Sequence, residues 1–200
     1  MPQTLLNVTQ CSLPSAATVT AKQFKLFVKF VQAVAGNRRI VTKWLLWRGA
    51  NSCINQLNEE GRGALHIACY HGNIDMVNLL LTQGADAHLM SMEEGGNLQP
   101  LHFAIMSGRD DVVIALLLHN VNVNCLSENH ETALHFAVQM KQPRIVDLLL
   151  KHNANQDIRD MNGKTSYELA LDLDHNAVLD VFAANQRLHR RTPKRSQFFN

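Results

Sequence analysis

Between Gly63 and Asp86 the apolar positions fall into two short runs, each lining one face of a helix. Leu65, Ala68 and Cys69 form the first run, and Met76, Val77, Leu80 and Leu81 form the second, after a break at Gly72. The pattern predicts two short helices joined by a tight turn. It recurs from Gln99 to Asn122 and from Thr132 to Asn155, over 24 residues each time. Isolated helices below about 12–15 residues are marginal in water, so neither helix can stand alone. Each pair must bury its apolar face against the next pair, and the predicted outcome is a stack.

The histidines His66, His102 and His135 mark the repeat, at spacings of 36 and 33 residues. A further step of 33 reaches Glu168, where Thr165, Leu169 and Ala170 keep the pattern without the histidine. Backwards, Ala33, Leu45, Leu46, Gly49 and Ala50 fall into register. Three clear units thus lie between two divergent ends. After each second helix stands Gly84, Asn120 or Asn153, the residue types that tolerate a left-handed backbone, so one helix-ending geometry is expected in all three. Gly72 and Gly108 mark the turn between helices, whereas the third copy has Lys141 before Gln142-Pro143, and that turn is expected to differ. Thr20 and Gln23 read as a capping box opening a longer helix, with Phe24, Phe27, Val28, Val31 and Val34 on one face. Trp44 and Trp47 fall in this first unit, and Val181, Phe182 and Ala183 replace the leucine triplet in the last.

The T-x-L-H opening, the LLL triplet, the G-A-D or N-A-N ending and the 33-residue period resemble the ankyrin repeat, over roughly residues 27–186. The sequence departs from that pattern at Gly63 and Gln99, which replace threonine, and keeps the proline only at Pro100. Three extra residues lie between Asp86 and Leu101. The resemblance implies an all-α solenoid of stacked helix-turn-helix units with hairpin-like loops. The expected organisation is a flexible N-terminal segment (1–19), a repeat domain (20–186) and a basic C-terminal tail (187–200). The units are expected at about 27–58, 59–94, 95–127, 128–160 and 161–186.

Composition narrows the functional classes. With 200 residues, 46% hydrophobic, the chain can bury a sizeable core. The net charge of +2 divides into five basic residues and no acid in 187–200 and −3 elsewhere, so no nucleic-acid partner is expected. Cys11, Cys53, Cys69 and Cys125 show no CxxC spacing, which suits a reducing compartment. Residues 1–21 carry no charge and so lack the basic start of a secretory signal, and apolar runs such as Val112–Leu118 are too short to cross a bilayer. No transmembrane segment is expected, and the expected location is cytoplasmic, with a nuclear or host-delivered chain as alternatives. The ten histidines show no HxxxH or HExxH spacing, and the three of the repeat lie a unit apart, too far to share an ion with ligand bonds near 2 Å. No nucleophile elbow, phosphate loop or dinucleotide fingerprint occurs, and Glu59-Glu60 and Glu93-Glu94 read as solvated turn acids. No catalytic residue, metal or cofactor is expected.

Surface remains. By the family's register, the exposed ends of the first helices and the hairpin fingers line a concave face that binds another protein. Here those ends hold Tyr70 and His71, Met106 and Ser107, Gln139 and Met140, then Asp172 and Leu173. Tyrosine and methionine are favoured at interfaces. The fingers at 88–98 and 124–131 each sum to −2. A row of tyrosine and methionine beside acidic fingers, Glu93 and Glu94 included, fits a partner with a basic, partly apolar patch. In the enlarged finger, Leu89, Met90 and Met92 either pack on a neighbouring finger or are offered to the partner. The resemblance also marks Asn124 as a position for hydroxylation, although Asn122 stands where an acid is preferred. The basic tail is either a solvated end, a counterweight to the acidic body, or an address for nuclear import or anionic-membrane contact. The expected function is a non-enzymatic adaptor, scaffold or inhibitor. A host-directed effector, a viral inhibitor mimic, or a constitutive subunit of a larger complex would use the same stack.

Overall fold

A computed structural model describes residues 21–92 and 96–191. Among them are ten α-helices: α1 (Ala21–Ala35), α2 (Arg39–Trp47), α3 (Ala64–Tyr70), α4 (Ile74–Thr82), α5 (Pro100–Ser107), α6 (Asp110–Leu118), α7 (Ala133–Gln139), α8 (Pro143–Lys151), α9 (Ser166–Asp172) and α10 (Asn176–Arg191). A 3₁₀ turn, Ala50–Cys53, follows α2. First helices pack on first helices (α1, α3, α5, α7, α9) and second helices on second helices (α4, α6, α8, α10). The all-α repeat solenoid expected from the pattern is what the chain forms. One continuous apolar core runs through it, from Phe30 in α1 to Phe182 in α10.

The fingers between units close in one way. The N–H of Asn58, Ser91, Ser127 and Asp160 donates to the carbonyl of Arg62, Leu98, Glu131 and Lys164 respectively, at 2.8–2.9 Å. A short polar side chain at the first position secures each loop: Asn58 Oδ1 accepts from the Arg62 N–H, Ser127 Oγ from Glu131, and Asp160 Oδ1 from Lys164. Three fingers span four residues and the second spans seven, so the three extra residues lie between Ser91 and Leu98. Each finger also bonds to its predecessor, through Met92 N–H to Gly61 O, Glu128 N–H to Gly96 O and Met161 N–H to Asn129 O.

Gly84, Asn120 and Asn153 all take positive φ, as their residue types predict, and Gly49 does the same in the first unit. The turn between helices overturns one expectation. Lys141 (φ 54°) adopts the left-handed conformation of Gly72 (φ 66°) and Gly108 (φ 68°). The hydrogen bonds match as well: Gly72 N–H to Cys69 O and Asn73 N–H to Ala68 O correspond to Lys141 N–H to Val138 O and Gln142 N–H to Ala137 O. Packing imposes the geometry, because the Gln142 side chain donates across the stack to Ile105 O at 2.8 Å. A left-handed lysine costs about 1–2 kcal/mol. Lys141→Gly removes that cost but enlarges the unfolded chain's freedom, worth about 0.4–1 kcal/mol in the opposite sense. Urea denaturation is expected to show a net gain of about 0.5–1 kcal/mol, and a loss would mean that the lysine side chain itself stabilises the turn.

The first helix corrects a second expectation. Phe24 is exposed, and the buried face of α1 runs through Phe27, Phe30, Ala33 and Val34. α1 has α2, the 3₁₀ turn and α3 as its main neighbours, and they cover that side only. The expected capping box involves Thr20, which lies outside the described residues, as do segment 1–19 and residues 192–200. At the other end α10 continues past 186 to Arg191, so the start of the expected tail is helical.

Candidate functional site

α3, α5, α7 and α9 each carry an exposed side chain at or just after their last turn. Tyr70 is 45% exposed at the end of α3, Met106 38% near the end of α5, and Met140 45% at the cap of α7. His71 and Gln139 are exposed and Ser107 is half-buried, its hydroxyl donating to Ala104 O at 2.7 Å. The Gln139 amide hydrogen-bonds Glu131 of the adjoining finger. In the last unit Leu173 is exposed, while Asp172 forms an ion pair with Lys164 at 2.6 Å.

These residues are held in place by what lies behind them. The Nδ1 atoms of His66, His102 and His135 accept from the N–H of Gly63, Gln99 and Thr132, at 2.9, 3.0 and 3.2 Å. A ring nitrogen that accepts from a backbone N–H carries no proton, so Nε2 is the protonated atom. His66 Nε2 donates to Leu89 O at 2.9 Å, and His135 Nε2 to Lys164 O at 3.2 Å, which pins the following finger. His66 and His102 also meet Phe103 and Phe136 of the next unit edge-on, with ring centroids 5.1 Å apart. The sequence indicates the local bond; the grip on the next finger is an addition from the structure. In the last unit Glu168 substitutes, accepting from the Thr165 N–H at 2.8 Å and pairing with Arg159.

Arg62 is a member of this face that sequence reasoning missed. Its guanidinium lies 5.7 Å from the Tyr70 ring centroid and 5.5 Å from that of Phe103, within cation–π range. The signal was available, because Arg62 lies one position before the opening of its unit and Tyr70 ends that helix.

The enlarged finger divides its apolar residues. The Leu89 side chain packs over Gly63, where an added Cβ would come within 2.8 Å of it. Met90 and Met92 are exposed. Glu93 and Glu94 lie outside the described residues. Asn124 is half-buried, and its Oδ1 accepts from the Asn155 N–H at 2.7 Å, as Asn55 does from Asp86 two units earlier. The amide thus ties neighbouring loops together. Among the described residues no three His, Cys, Asp or Glu side chains cluster to hold a metal, and no helix is long and apolar enough to cross a membrane. Burial pushes the Cys69 thiol far above its ordinary pKa, which leaves no thiolate for chemistry there.

A stack of helix pairs with interlocked fingers and an exposed row of one residue per unit defines a repeat solenoid. The model for ankyrin repeats (3 copies) matches residues 30–125 and 101–191, and the chain belongs to the ankyrin repeat family. Human Rabankyrin-5 is 33% identical over 78 residues, 39% of this chain and 7% of that protein. Notch-regulated ankyrin repeat-containing protein A of Danio rerio is 36% identical over 64 residues, 32% of this chain and 54% of that protein. A putative ankyrin repeat protein of fowlpox virus (strain NVSL) is 32% identical over 100 residues, 48% of this chain and 29% of that protein. The chain spans less than two thirds of each of these relatives. Ankyrin repeats are protein–protein interaction modules, and that general role belongs to this chain.

Proposed function

We propose that the chain is a non-enzymatic adaptor, scaffold or inhibitor that grips one partner protein with the first-helix ends and fingers. The row Tyr70, Met106 and Met140 carries this reading: large side chains, roughly 40% exposed in each of three successive units. A fixed backbone holds them, so little ordering entropy is lost on binding. The acid-biased fingers favour a partner with a basic, partly apolar patch. The working location is the cytoplasm, with a nuclear or host-cell site as alternatives that the basic tail would serve.

Affinity capture with the wild-type chain and with Tyr70→Ala, Met106→Ala and Met140→Ala combined tests the site. All three side chains are exposed, so the variant should keep its fold. Three interface anchors at about 1–2 kcal/mol each predict loss of the captured partner. Unchanged recovery would remove this face as the site.

A further inference from the structure

The charge of this chain is segregated along the stack. Residues 1–58 hold seven lysines and arginines and no acid, whereas all 17 acids lie between 59 and 186, beside seven basic residues. The acidic body expected from the sequence therefore begins only at the second unit. The first unit is cationic throughout.

That unit also exposes its largest apolar side chains. Ile40, Trp44 and Trp47 stand at i, i+4 and i+7 on the outward face of α2, with Ile40 84% and Trp47 81% exposed. Aligning Gly49 with Gly84 places Asp75, Leu79 and Thr82 at the Ile40, Trp44 and Trp47 positions one unit later, so the two most exposed positions turn polar there and the middle one is a buried leucine. Lys43 flanks the apolar stripe, and the Arg48 guanidinium stacks 4.8 Å from the Trp44 ring centroid. Beside them Lys22, Lys25 and Lys29 of α1 join Trp44 and Arg48 in lining an open groove of about 480 Å³. Among the described residues no carboxylate forms an ion pair with Lys22, Lys25, Lys29, Lys43 or Arg48.

We propose that the first unit docks on an anionic phospholipid surface. Ile40, Trp44 and Trp47 enter the headgroup boundary while Lys22, Lys25, Lys29 and Lys43 pair with lipid phosphates. Indoles belong at that boundary, and lysine stems reach past apolar neighbours to place their charge in the headgroups. A helix with one apolar and one basic face lies in the plane of such a surface. An acidic protein would need shaped pockets for two protruding side chains, whereas a bilayer accepts any protruding apolar shape. This surface is separate from the row of Tyr70, Met106 and Met140, and the inference stands or falls without that row.

Trp44 and Trp47 are the chain's two tryptophans, so its indole emission reports on this face. The full chain is titrated with vesicles of phosphatidylcholine alone and with about one-third phosphatidylserine. The expected result is a blue shift, and quenching by brominated acyl chains, on the anionic vesicles only, weakened by added salt. Lys25→Glu with Lys29→Glu is expected to lower the partition constant by about tenfold or more. Trp47→Ser is expected to lower it several-fold. Circular dichroism should show both variants folded, because all three side chains are exposed. Emission unchanged on anionic vesicles overturns the proposal, even if the chain sediments with them, since another segment would then hold it. A blue shift with soluble polyglutamate but not with vesicles overturns it in favour of an acidic protein partner. Wild-type affinity in the folded lysine variant overturns it as well.

Discussion

Leu116→Ala is expected to lower the stability of the fold by about 3–5 kcal/mol. Leu116 is fully buried in α6, the second helix of the middle regular unit, and α6 packs against both α4 and α8. In a stack each unit contacts only its neighbours, so a cavity here weakens the two interfaces that join the halves of the chain. Two residues on, Leu118 is exposed, and Leu118→Ala is expected to stay within about 0.5 kcal/mol. Urea titrations followed by far-UV circular dichroism measure both. Tryptophan emission adds a second probe confined to the first unit, and the two transitions should separate in Leu116→Ala if the halves uncouple. A cost below about 1 kcal/mol for Leu116→Ala would mean that the leucine triplet is not the core of the stack.

The second large effect is a loss of stability on mild acidification. Burial pushes the pKa of His102 from 6.5 down to about 4. His135 is also lowered, with burial again the main cause. Neutral rings are favoured in the folded chain, so the unfolded chain binds more protons, and stability falls as pH drops from about 6.5 toward about 4. Geometry gives the same sign, because a proton on Nδ1 would face the N–H of Gln99 or Thr132. His102 alone accounts for about 3 kcal/mol across that window. Asp160 and Glu168 act lower on the scale. Burial pushes Asp160 up, but hydrogen bonds from Lys164 and Asn162 outweigh it; the Thr165 N–H and Arg159 hold Glu168 down. Their contributions are present above the ordinary carboxylate values, 3.8 and 4.5, and fade as pH falls below them. Urea midpoints at about pH 7.5, 6 and 5 should therefore decline, and His102→Gln should flatten the decline while costing stability at the highest pH. A midpoint unchanged across that range would contradict buried neutral histidines.

Much of this was legible in the sequence because the repeat writes the same physical demand several times. Gly84, Asn120 and Asn153 each tolerate a left-handed turn, and His66, His102 and His135 each sit where a ring can close on a backbone N–H. Lys141 was misread because residue type is a weaker constraint than the packing around it. Lys141 takes the turn of Gly72 and Gly108, with the Gln142 side chain bonded to Ile105 O beside it. Phe24 was misread because a helix with apolar residues on several sides offers more than one face, and only the neighbours decide which is covered. Trp44 and Trp47 could be placed in the first unit but not on a face of it, and both are exposed. Partner chemistry was the least legible. Tyr70, Met106 and Met140 stay exposed, so the pattern fixes their place and not the partner they touch.

Hydrogen exchange of the chain alone and with its captured partner tests the central claim most directly. Binding through the first-helix ends and fingers predicts new protection in segments holding Tyr70-His71, Met106-Ser107 and Gln139-Met140, and in the finger around Met92. The backs of α4, α6 and α8 should exchange as before. Protection confined to those second helices, with the first-helix ends unchanged, would contradict it.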